Sequence, residues 1–106
     1  MAARVNKDEF EGKVLKSDIP VLVDFYSDSC VPCKKMTPVI GDVEDDMEGK
    51  LAVYKVNINF DTELAEQYDV QSVPTLLLFK GGAEVARQSG AVRKDALNAW
   101  IDDNVK

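Results

Sequence analysis

Val21-Leu22-Val23-Asp24-Phe25-Tyr26, then Ser27-Asp28-Ser29, then Cys30-Val31-Pro32-Cys33-Lys34-Lys35-Met36: this unbroken stretch decides the fold class. Its first part is apolar on both alternating faces apart from Asp24, the pattern of a strand in the middle of a sheet covered on both sides. Beyond the cysteines, Met36, Val39, Ile40, Val43 and Met47 recur at i, i+3, i+4, i+7 and i+11, one stripe of an amphipathic helix. A cysteine pair therefore stands at a strand-to-helix junction.

Working outward, strand-like and helix-like patterns alternate. Phe10, Val14 and Leu15 sit at helical spacing in a segment ending near Ser17-Asp18, and Ala2 to Val5 fits a short edge strand. Leu51 to Ile58, rich in β-branched residues, reads as a second strand. Asp61 is placed to cap a short helix running to about Tyr68. Val73 to Phe79 forms a further strand, Gly81-Gly82 a turn, and Ala83 to Gln88 its hairpin partner. A last helix carries Leu97, Trp100 and Ile101 on one face, and Trp100, Met36 and Met47 read as core. Pro38, inside the long helix, is expected to kink it. The order predicts an α/β fold, a central sheet with helices on both faces.

The chain of 106 residues is the size of one domain and can bury a core without staples. Its 19 acidic and 13 basic residues give a net charge of -6, which disfavours phosphate backbones and anionic lipid, so neither nucleic acid nor membrane is an expected partner. No apolar h-region follows Met1 to Lys7, and no run approaches the ~20 residues that span a bilayer. A cytoplasmic, monomeric protein is the expectation. In a compartment that keeps thiols reduced, two cysteines are there for chemistry more often than for bracing.

At a helix N-terminus, unpaired backbone N–H groups and the positive dipole end favour a thiolate on Cys30. The dipole contributes about 0.3–1 kcal/mol at an exposed site, less than one pKa unit. The rest of any larger shift must come from hydrogen bonds to the sulfur. Cys30 is then the nucleophile that forms a mixed disulfide with a substrate, and Cys33 the buried thiol that resolves it. Pro32 at the helix start loses no hydrogen bond and pre-sets the turn. Three other readings stand beside this one. A zinc site would need carboxylates, because the chain has two cysteines and no histidine. A structural disulfide would close a very short loop for little entropic gain, and two inert buried thiols are the third reading. Asp24 is costly to bury unpaired, and its desolvation should raise its pKa and make it a base for Cys33; a strand-end carboxylate reaching solvent is the alternative.

Taken together, Val21 to Tyr26, the Cys-x-Pro-Cys-Lys run to Lys34, Pro38, Lys55, Val73 to Gly81 and Gly90-Ala91 resemble the thioredoxin family in order and spacing. The resemblance covers nearly all of the chain. It implies a single thioredoxin domain over residues 1–106, with a mixed five-stranded sheet flanked by four helices. It implies reduction of disulfides in target proteins by a reversible Cys30–Cys33 dithiol/disulfide cycle, with no bound cofactor, no metal, and electrons from a thioredoxin reductase. By the same resemblance Asp24 lies behind Cys33 with Lys55 beside it. Pro74 is cis and packs on the disulfide, the Val73 backbone holds an extended substrate, and Gly90 and Ala91 flank the groove. Two positions depart from the family: Ser29 stands where most members have Trp, and Val31 where Gly is usual. Both flank the reactive sulfur, so they are expected to affect which reductase and targets bind and where the dithiol–disulfide balance lies. A docking module with idle cysteines is the second hypothesis, favoured only by Ser29. An oxidant or isomerase is disfavoured by the missing signal peptide and by the lack of His between the cysteines.

Overall fold

The computed structural model describes residues 2–105 and contains, among them, strands β1 (Ala3–Arg4), β2 (Val21–Tyr26), β3 (Ala52–Asn57), β4 (Thr75–Lys80) and β5 (Ala83–Ser89). They form a five-stranded sheet ordered β1-β3-β2-β4-β5. β3 runs parallel to β1 and β2, whereas β4 is antiparallel to β2 and to β5, so the sheet is mixed. Helix α1 (Lys7–Phe10) continues as a π-helical stretch, Glu11–Leu15. Then come α2 (Val31–Asp46), α3 (Thr62–Gln67) and α4 (Lys94–Val105).

Period-2 alternation along β2 sorts the core into two layers. Val21, Val23 and Phe25 pack with Phe10, Val14 and Leu64, under α1 and α3. Leu22 faces the other way, with Met36, Ile40 and Val43 of α2 and Leu97 and Ile101 of α4. β4 obeys the same rule, with Leu77 and Phe79 in the first layer and Leu76 and Leu78 in the second. Asp24, two residues beyond Leu22 and so on the same face of β2, thus lies on the side of the sheet that α2 covers.

The chain departs from its expected boundaries in places that have physical reasons. β4 begins at Thr75, not Val73, because Pro74 has no N–H to give a ladder. β3 spans Ala52–Asn57 within the expected Leu51 to Ile58, and β5 reaches Ser89. The first helix closes in a π turn that ends at Leu15, the Lys16 N–H donating to Glu11 O, five residues back, at 3.0 Å. Its start is fixed by a reciprocal pair: Asn6 Oδ1 accepts from the Glu9 N–H at 2.9 Å, and Glu9 Oε1 from the Asn6 N–H at 3.0 Å. Asp61 occupies the cap position of α3 without capping it. Its carboxylate instead accepts the Lys7 N–H at 3.2 Å and lies 3.5 Å from the Arg4 guanidinium. Pro38 sits within α2, which runs on to Asp46. Trp100 and Met47 are half-buried flanks of the α2–α4 layer rather than its interior.

Candidate functional site

Strand register gathers the chemistry-bearing segments at one end of the sheet. Phe25 of β2 pairs with Thr75 of β4, Thr75 with Ser89 of β5, and Tyr26 with Asn57 of β3. The chain therefore leaves β2 toward Cys30, enters β4 through Pro74, and leaves β5 toward Gly90, all at the same end. The Val73–Pro74 bond is cis. The Gly90 N–H donates to Pro74 O at 2.8 Å, and Gly90 adopts φ +88°, a conformation that side chains rarely tolerate. The Thr75 hydroxyl donates to Ser72 O at 2.7 Å and fixes the approach to the proline.

Cys30 is the N-cap of α2, with extended backbone, and its sulfur accepts the Cys33 N–H at 3.1 Å. One orphan donor of the helix is thus aimed at the sulfur where a thiolate would carry charge. Pro32, in the first turn, has no N–H, and Val31-Pro32 brings the Cys30 and Cys33 Cα atoms to 5.2 Å in a disulfide. The two cysteines differ little in overall exposure. Cys30 is 9% and Cys33 4% exposed, so Cys30 is the more open but is itself largely covered in the oxidised state. Ser29 is exposed and Val31 is 60% exposed, a branched apolar surface directly beside the disulfide.

Behind the pair, Asp24 and Cys33 line one cavity of about 130 Å³ together with Tyr26, Asp28, Lys34 and Lys55. Asp24 is 6% exposed, and its Oδ1 has no hydrogen-bond partner among the described residues. Burial pushes its carboxyl up to about 6, against the pull of the Lys55 charge. Lys55 is its register partner on β3, with Nζ 5.4 Å from the centre of the Tyr26 ring. The expected groove residues also lie at this end: Val73 half-buried, Pro74 buried, Gly90 and Ala91 exposed. Among the described residues, no cluster of three or more His, Cys, Asp or Glu could hold a metal ion.

Comparison with known proteins gives the same picture. The family model described as "Thioredoxin" matches residues 1–103. A thioredoxin of Rickettsia bellii is 42% identical over 105 residues, covering 99% of this chain and all of that protein. A thioredoxin of Pseudomonas aeruginosa is 44% identical over 101 residues, 95% of this chain and 94% of that one. Thioredoxin 1 of a Nostoc species is 41% identical over 104 residues, 98% and 97% of the two chains. The chain belongs to the thioredoxin family.

This thioredoxin-family protein is a thiol–disulfide oxidoreductase, and its redox-active group is the Cys30–Cys33 disulfide. Two contributors to the site escape sequence reasoning. Asn57, 2% exposed, donates to Asp28 Oδ2 at 3.3 Å and accepts the Asn59 N–H at 2.9 Å, tying the end of β3 to the loop before Cys30. Tyr26 lends its ring face to Lys55. A polar residue ending an apolar strand was the one available signal for Asn57. Nothing in the sequence indicates that Tyr26 meets Lys55.

Proposed function

We propose that this protein, one thioredoxin domain over residues 1–106, reduces disulfides in target proteins in the cytoplasm and carries electrons to them from a thioredoxin reductase, acting as a monomer. The observation that supports this best is the Cys30 sulfur at the N-cap of α2, hydrogen-bonded by the Cys33 N–H and disulfide-linked to Cys33, with Asp24 in the cavity behind.

In the reduced protein the Cys30 thiolate attacks one sulfur of the target disulfide. An S–S bond forms between Cys30 and the target, the target's own S–S bond breaks, and one target thiolate leaves. Asp24 takes the proton of the Cys33 thiol; a carboxylate with a pKa near 6 is ionised at neutral pH yet basic enough to accept it. Cys33 then attacks Cys30 Sγ and releases the second target thiolate, which picks up a proton. Lys55 tempers the rise in the Asp24 pKa, and Pro32 keeps the turn. Pro74 closes over the disulfide while the Val73 backbone, Gly90 and Ala91 hold the extended target, and Ser29 and Val31 form the rim that meets reductase and targets. The reductase restores the dithiol with two electrons.

Catalysis of insulin disulfide reduction by dithiothreitol tests this, with Cys30→Ser as the control. Acceleration by the native protein and its loss in the variant are expected. A folded native protein that gives no acceleration would overturn the general reductase role and leave a docking module with idle cysteines.

A further inference from the structure

Helix α2 carries the reactive pair at its N-terminus and, one turn beyond Cys33, Met36, which is 1% exposed. On the apolar stripe a leucine would fill this place as well. The sulfur makes a contact that leucine cannot: the backbone N–H of Val92 donates to Met36 Sδ at 3.4 Å. Val92 stands two residues past Gly90, whose own N–H donates to Pro74 O at 2.8 Å, and the Thr75 and Ser89 hydroxyls meet at 3.5 Å just behind. Contacts thus run from the cysteine-bearing helix to the Gly90–Val92 segment and on to Pro74. Met36 Sδ closes the helix side of that chain. A thioether is a weak acceptor. A part-buried N–H left facing a hydrocarbon side chain, however, loses a partner without gaining one.

We propose that Met36 is a positioning residue for substrate. Through the Val92 N–H, its sulfur sets where the Gly90–Ala91 wall stands relative to the Cys30–Cys33 pair. Met36 therefore governs affinity for polypeptide disulfides and leaves the intrinsic reactivity of Cys30 alone. This rests on the groove assigned to Gly90 and Ala91 above. A small disulfide needs only to reach Cys30 Sγ, whereas an extended polypeptide also needs the wall, so the two substrate classes separate the effects.

The test is Met36→Leu, which keeps volume and apolarity and removes the acceptor, assayed with insulin and with cystine. Met47→Leu, on the same stripe but away from the groove, is the packing control, and Ala91→Glu probes the wall directly. Met36→Leu is expected to raise KM for insulin about two- to threefold, the effect of one weak hydrogen bond, with kcat unchanged. The rate with cystine should be unchanged and amide exchange at Val92 faster. Met47→Leu should change neither rate, and selenomethionine, which keeps the acceptor, should retain the native KM. If Ala91→Glu raises KM and Met36→Leu does not, the role of Met36 is overturned and the groove stands. If neither raises it, the groove assignment falls and takes this inference with it. Equal slowing of insulin and cystine by Met36→Leu would place the effect on the reactive pair and contradict the inference.

Discussion

The buried carboxylate Asp24 ties stability to pH. Burial raises its carboxyl from an ordinary 3.8 to about 6. Because the folded pKa exceeds the unfolded one, the folded state holds this proton more tightly. Its contribution to stability is complete below about pH 4, falls as pH rises through about 6, and is level above that. The loss is on the order of 3 kcal/mol for a shift of about two units. Asp24→Asn removes this titration, so the stability difference between variant and native protein should grow in the variant's favour between about pH 4 and 6. Urea unfolding of both at stepped pH measures it, and a constant difference would mean that Asp24 titrates normally. The same variant should slow resolution of a mixed disulfide, followed by quenched flow, while first attack by Cys30 keeps its rate. Asp24 was legible as the one carboxylate in an apolar strand, and the cysteines as a pair at a strand-to-helix junction. Asn57 and Met36 were not, because their partners, Asp28 and the Val92 backbone, lie far away in sequence and meet them only once the chain is folded.

The elements follow from periodicity where a face is buried and escape it where a single backbone contact decides. β2 and β4 were readable because their alternate residues enter two separate core layers. The π-helical end of the first helix was not, since one carbonyl, Glu11 O, selects it. Nor could the sequence show that Asp61 surrenders its cap to serve Lys7 and Arg4. One turn and one cap give quantitative expectations. Gly82 in the β4–β5 turn has φ +83°, and a Cβ there would lie 2.9 Å from the Leu15 carbonyl oxygen. Gly82→Ala therefore combines backbone strain with a clash against main chain and should cost roughly 1–3 kcal/mol in denaturant unfolding. Asn6→Ala removes the capping acceptor for Glu9 and should cost about 1 kcal/mol. An unchanged midpoint for Gly82→Ala would show that the turn yields without cost, and one for Asn6→Ala that the cap does not hold the first helix.

The molecule as a whole is acidic, with a net charge of -6, and its fold brings the redox pair to one end of a sheet sandwiched by helices. No helix among the described residues is long and apolar enough to cross a membrane. Among the described residues the exposed large apolar side chains, Val31, Phe60 and Val85, lie on three different segments, and Phe60 carries the Arg4 guanidinium 4.8 Å from its ring centre. The proposed monomer predicts one species of 11.7 kDa in sedimentation whatever the concentration, and a concentration-dependent mass would contradict it. The central claim is the division of labour between the cysteines at that end of the sheet, and intact-protein mass spectrometry after incubating the reduced Cys33→Ser and Cys30→Ser variants with insulin tests it most directly. A stable disulfide adduct through Cys30 in Cys33→Ser, with none in Cys30→Ser, is the predicted result; an adduct through Cys33 in Cys30→Ser, with Cys33→Ser unmodified, would contradict it.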